Sequence, residues 1–342
     1  MLGGPFELSR RGGAALVSRG DEIAAVLNDD GHPNVSYFRA GPLVPSVLNP
    51  VRTSSLRARA LRVPCAVTGE LTFCPDGTGA VHRSALSGAD AQTVAHSHAG
   101  TRVSAAHLMD GVSALVYLAS RQTSEGWVRE AWLTSEDGRP VRLSEDGSGA
   151  TSSTLVARGS SLVAITVDSR VALTAMHARE VHYDHGLRMG EDVVTFVGGP
   201  GDSTSAAAAA LLPSGTGWAL LPIARDVSDF GLAIVKIDDP PRVDEPVVWS
   251  VYPDGLDPAP VATALSAGRA WVARVRPRSR GPGAPRELEV GELGLDGTFV
   301  PKHVVAAAAG ATDVTLAADA RGALWLAWID PSGTRMERLS CL

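Results

Sequence analysis

The chain has 342 residues, of which 44 % are hydrophobic and 20 % charged, and a net charge of −6. That size fits one large repeat domain or two smaller ones, and the composition is that of a globular protein. The acidic balance argues against a nucleic-acid or anionic-membrane partner. No run approaches the ~20 apolar residues of a membrane helix, so no membrane insertion is expected. The first residues, MLGGPFELSRRGG, contain no apolar core of a signal peptide. A cytoplasmic protein is therefore the expectation, with an exported one whose leader lies outside this chain as the alternative.

In chain order, a turn glycine recurs before an apolar run of about seven residues that ends in a polar cluster. It is Gly20 before DEIAAVLNDD, Gly69 before ELTFCPD, Gly111 before VSALVYLASR and Gly159 before SSLVAITVDSR. It returns as Gly217 before WALLPIARD, Gly268 before RAWVARVR and Gly322 before ALWLAWID, at intervals of 42 to 58 residues. Each run follows another short apolar strand, which predicts a hairpin, and glycine accepts the left-handed turn geometry at no steric cost. Two more strands fit each interval: in the third unit GWVREAWLT and RPVRLS around Ser135 to Gly138, in the sixth RELEVGELG and FVPKHVV around Asp296-Gly297. Four strands per 40–50 residues is the period of a propeller blade. The alanine-rich segment from Ser205 to Leu212 is read as an innermost strand, although alanine favours helix. The second unit, Arg57 to Gly100, is the weakest match, so six or eight units are the alternatives.

The seventh unit ends one strand short, after Thr334 to Ser340, while Gly4 to Ser9 is a strand left over before the first hairpin. The two cancel if the N-terminal strand completes the last unit, which removes exposed sheet edges. The predicted fold is thus an all-β, seven-bladed β-propeller of four-stranded antiparallel blades, closed by the N-terminal strand, as one domain over residues 1–342. Asp319-x-x-Gly322-x-Leu324-Trp325 resembles the D-x-x-G-x-[LV]-W blade motif of the seven-bladed β-propeller superfamily, seen in sensor-protein periplasmic domains and streptogramin lyases. Gly217-Trp218 and Gly268-Arg-Ala-Trp271 echo it. The resemblance implies the fold and leaves activity open, because propellers host many functions. WD40, kelch and sialidase Asp-box marks are missing.

In such a ring the ends of the second strands share one face over the channel. They offer Asp30, Asp76, Arg121, Asp168, Arg170, Arg225, Asp226, Arg274, Arg276 and Asp330. Of these, Asp30, Arg121, Asp168, Arg170, Arg225, Asp226, Arg276 and Asp330 form the candidate ligand rim, where arginines could clamp a carboxylate or phosphate. The competing explanation is that these charges pair with one another and merely end strands. His96 and His98 project to one side at i and i+2 and are the candidate metal ligands, with Asp30 or Asp76 as a conceivable third donor. His177, His182 and His185 are expected to be surface residues of the fourth unit. Trp218, Trp271, Trp325 and Trp328 are expected in the core between units.

Cys65 and Cys74 flank Gly69 almost symmetrically and could face each other across a hairpin. Two buried free thiols are the expectation and a disulfide the alternative; Cys341 is expected to be a free thiol. No G-x-S-x-G elbow, Walker loop, dinucleotide fingerprint or Cys-x-x-Cys pair occurs. No basic stripe interleaves with aromatics, so a nucleic-acid partner has no footprint. The leading functional expectation is a non-catalytic, monomeric binding or scaffold protein, with no cofactor, recognising a peptide, a protein or a small anionic molecule. The alternatives are a lyase or hydrolase dependent on a divalent metal near His96 and His98, and an exported sensor or carbohydrate-binding protein.

Overall fold

The computed structural model describes residues 6–9, 13–39, 63–107, 111–124, 126–135, 139–145, 147–170, 173–198, 203–204, 208–211, 217–225, 229–238, 247–252, 261–277, 286–305, 308, 310–311 and 313–339. Among them there is no α-helix and there are seven antiparallel sheets. After β1 (Phe6–Ser9), the first sheet holds β2 (Ala14–Arg19), β3 (Glu22–Asp29) and β4 (His32–Arg39). The second holds β5 (Ala66–Thr68), β6 (Leu71–Pro75), β7 (Ala80–Ala85) and β8 (Gln92–His96). The third holds β9 (Ser104–His107), β10 (Ser113–Thr123), β11 (Gly126–Ser135) and the two-residue β12 (Val141–Arg142). The fourth holds β13 (Ala150–Arg158), β14 (Ser161–Arg170), β15 (Leu173–Tyr183) and β16 (Leu187–Gly198).

In the fifth sheet, β17 (Ser203–Thr204) and β18 (Ala208–Leu211) both pair with β19 (Gly217–Arg225), as two pieces of one interrupted first strand. β20 (Asp229–Ile237) and β21 (Val247–Tyr252) complete it. The alanine run is therefore strand over Ala208–Leu211. The sixth sheet holds β22 (Val261–Ser266), β23 (Arg269–Pro277), β24 (Arg286–Leu293) and β25 (Phe299–Val305). The seventh holds β26 (Asp313–Ala318), β27 (Leu324–Asp330) and β28 (Gly333–Leu339), with β1 added outside β28. Phe6 faces Met336 and Glu7 faces Arg335 in that pairing.

The weakly predicted second unit is a complete four-stranded sheet, and it carries one correction. Cys65 and Cys74, opposite each other with Cα atoms 4.3 Å apart, form a disulfide rather than two free thiols. The tight turn around Gly69 brings them level: Ala66 pairs with Phe73 and Thr68 with Leu71. Cys341 lies outside the described residues.

Among the described residues the core is split into seven apolar clusters, each shared by two sheets. The last unites the seventh sheet with the first through Trp325, Ala327, Ile23, Ala25 and Phe38. This explains the near-continuous apolar second strands. With both faces covered, the period of two sorts side chains between two neighbours instead of between core and water. In β27, Leu324, Leu326 and Trp328 pack toward the sixth sheet, while Trp325 and Ala327 pack toward the first. In β10, Ala114, Val116 and Leu118 join the fourth sheet, while Leu115 and Tyr117 join the second. Trp218, Trp271, Trp325 and Trp328 are all buried, as expected.

Candidate functional site

Bonds between sheets sort the loops into two faces. On the lower face lie the turns joining first to second strands. There Arg321 Nη2 reaches Asp21 Oδ2 at 2.9 Å, and Ser266 Oγ donates to the Gly322 carbonyl at 2.8 Å. A cavity of about 450 Å³ on this face is lined by Arg19, Asp21, Glu22, Arg39 and Arg321. Its arginines are paired, Arg39 with Glu22, Arg321 with Asp21 and Arg19 with Glu70, so it is bound up in joining sheets.

On the upper face lie the turns after the second strands and the loops entering the next sheet. Asp30 sits at the β3–β4 turn with φ +50°, a left-handed conformation that Asp tolerates. Its Oδ1 accepts the Gly77 N–H at 2.9 Å, joining the first two sheets. Asp76 Oδ2 lies 2.9 Å from His82 Nε2, and its Oδ1 takes the Thr78 and Ala80 amides. Burial would raise the Asp76 carboxyl, but these bonds hold it below the usual carboxylate value. Gly79 is needed here, because a Cβ would stand 2.2 Å from the Ser97 carbonyl oxygen.

The candidate rim divides. Arg121 donates from Nε and Nη2 to Glu130 Oε1 at 3.1 and 2.9 Å, and the wholly buried Glu130 also meets Arg142. Asp168, 1 % exposed, points into the interface with the third sheet, 3.2 Å from His177 Nε2. Asp330 terminates β27 by accepting the Ser332 and Gly333 amides, with Arg335 Nε at 3.4 Å from its Oδ2. Arg170, Arg225 and Arg276 lie at or next to the ends of β14, β19 and β23. Their side chains, and Asp226 altogether, lie outside the described residues. Among the described rim residues, Asp30, Asp168, Asp330 and Arg121 are thus engaged in turns and ion pairs.

His96 ends β8 and is exposed; His98 is exposed too, with Nδ1 2.6 Å from Ser120 Oγ. Among the described residues no group of three or more His, Cys, Asp or Glu is arranged to hold a metal ion. His182 and His185 are exposed, but His177 is buried, contrary to the surface position expected for it. It lies between Asp168 and Asp192, with Nδ1 2.9 Å from Asp192 Oδ2. Sequence spacing could not show this, because Asp192 arrives from the neighbouring strand.

Two groups that sequence reasoning missed stand on the upper end of the third sheet. Trp127, at the tip of the β10–β11 hairpin, is 72 % exposed. Arg102, in the loop entering β9, forms an ion pair with Asp313 at the start of β26. These two strands belong to sheets that share no apolar cluster, so the pair links sheets that do not pack on each other. Burial pulls the Arg102 guanidinium down to about 10, still charged at neutral pH. About a third of its side chain (32 %) remains accessible to water, although Nη2, the nitrogen that meets Asp313, is itself buried. The same loop is fixed to the top of β10, where Ser97 Oγ and the His98 amide both donate to the Leu118 carbonyl.

No family model matches the chain, and no curated protein matches it. Among solved structures, it is similar to a protein of unknown function from Dyadobacter fermentans, at TM-score 0.52 and 10 % identity over 98 % of this chain and 97 % of that one. It is similar to a subtype N10 neuraminidase-like protein of A/little yellow-shouldered bat/Guatemala/060/2010, at TM-score 0.51 and 9 % identity over 80 % and 93 %. It is also similar to the Penicillium chrysogenum α-L-arabinanase complexed with arabinobiose, at TM-score 0.51 and 10 % identity over 98 % and 94 %. At such identities the likeness is one of fold: an all-β propeller arrangement of four-stranded antiparallel sheets.

Proposed function

We propose that the seven sheets are the blades of one propeller domain, closed by β1, and that the protein is a non-catalytic binding protein for a small carboxylate-bearing ligand at the channel mouth. The observation that carries this reading is the Arg102–Asp313 pair, which links the third and seventh sheets; in a closed ring it would stand at the channel mouth. Arginine matches a carboxylate with two parallel donors. Arg170, Arg225 and Arg276, at or next to the ends of their strands, are the supplementary cations of the same face. Trp127, exposed on the third blade, offers a flat apolar surface for the carbon face of a sugar ring. Acidic sugars are accordingly the first ligand class, in keeping with the carbohydrate-active names of two fold neighbours.

The engaged state of Asp30, Asp168 and Asp330 supports binding over hydrolysis, which uses a pair of carboxyl groups free to face the scissile bond. The Cys65–Cys74 disulfide supports an exported protein, since such bonds persist in oxidising compartments. The test is calorimetric titration with uronates, uronate oligomers and their neutral counterparts. Binding of the acidic members is expected, weakened at least about tenfold by Arg102→Ala, the scale of a charged hydrogen bond. Equal binding of neutral and acidic sugars, or full affinity in Arg102→Ala, overturns the proposal.

A further inference from the structure

Resting on that reading, we infer that Asp313 is an internal stand-in for the ligand's carboxylate, so that the empty site is locked by the protein's own acid. Three observations carry this. Asp313 meets Arg102 although it comes from a sheet that does not pack on the third. Its carboxylate is fixed from behind, because Oδ1 also accepts the Val314 N–H at 2.8 Å. Arg102 is the long member of the pair, and part of its side chain is in reach of water, while Nη2 itself is covered. Opening therefore needs only rotation of Arg102 away from Asp313. The acid keeps its backbone bond when the arginine leaves, so no buried carboxylate is stranded.

An incoming carboxylate reproduces the chemistry of Asp313 and competes for one guanidinium. A neutral sugar cannot, so the lock adds selectivity for anions as well as lowering affinity. The free protein is divided between locked and open forms, and apparent affinity falls with the open fraction. The cost of the lock is paid only before binding, so removing it is expected to speed association and to leave dissociation unchanged.

The experiment measures D-glucuronate binding and its rates for the unmodified chain, Asp313→Asn and Arg102→Ala, with methyl glucoside as the neutral control. Asp313→Asn removes the charge while keeping an oxygen for the Val314 N–H. Its expected effect is roughly fivefold tighter binding through a faster on-rate, the factor that a partly exposed ion pair is worth. Asp313→Ala, with its fold checked by thermal melting, is expected to act in the same direction. If Arg102→Ala loses binding while both Asp313 variants bind equally or more weakly, the lock is wrong and the site stands. If Arg102→Ala binds as well as the unmodified chain, the site itself is wrong.

Discussion

At the scale of the residue, His177 is the group whose surroundings depart furthest from its sequence context. It shares a face with Val181, which packs toward the third sheet, and it is held between Asp168 and Asp192. Burial alone would lower its pKa, but hydrogen bonds and charge from the two carboxylates overcome this and raise it from 6.5 to about 9. A folded-state value above the unfolded one gives stabilisation that is complete below about pH 6.5 and is lost as pH climbs through about 9. Asp192 runs the other way. Burial would raise it, but bonds to His177 and Arg179 lower it, so its contribution is lost only as pH falls through that depressed value. Urea midpoints are thus expected to fall from about pH 6 to about pH 9.5, and His177→Gln is expected to flatten that decline. A decline of the same size in the variant would remove His177 as its source.

At the scale of the element, the β26–β27 hairpin shows why the pattern D-x-x-G-x-L-W is legible in the sequence. Asp319 Oδ1 accepts the Arg321 and Ala323 amides, each at 2.9 Å, and Oδ2 accepts the Trp325 indole N–H at 3.0 Å. Gly322, at φ +80°, turns the chain between them. The Asp, Gly and Trp of D-x-x-G-x-L-W each have a local physical task, and the partners of Asp319 lie within six residues. Asp319→Ala leaves three donors without this acceptor, one of them in a wholly buried tryptophan. The expected loss is about 2–4 kcal/mol, with a smaller loss for Asp319→Asn, read from equilibrium urea unfolding. The Cys65–Cys74 hairpin is legible in the same local way, by symmetry about Gly69, but spacing sets only proximity. Bonding depends on both sulfurs being held at one level of the sheet, which pairing across β5 and β6 supplies.

At the scale of the whole molecule, the seventh sheet packs on the first, and β1 pairs with β28 in one sheet. β1 covers the edge of β28, which would otherwise present unpaired backbone groups. Removal of residues 1–9 is expected to lower the melting temperature by roughly 5–10 °C and to promote self-association. A peptide spanning that strand, added in trans, is expected to restore the melting temperature and elution position of the untruncated chain. Unchanged melting and elution of the truncated protein would show that β1 closes nothing.

What the sequence determined by itself is what local forces decide: the hairpins, their glycine turns, the Asp319 cap and the doubly buried second strands. All of these follow from steric limits and a period of two within a few residues. Tertiary structure alone decided which charges are spent. It put His177 between acids from two other strands, Arg121 against Glu130, and Arg102 against Asp313. Electrostatic partners act through space over a few ångströms, and Arg102 and Asp313 are 211 positions apart along the chain (313 − 102). No pattern along the chain encodes such a meeting; only the packing of one sheet upon the next brings it about.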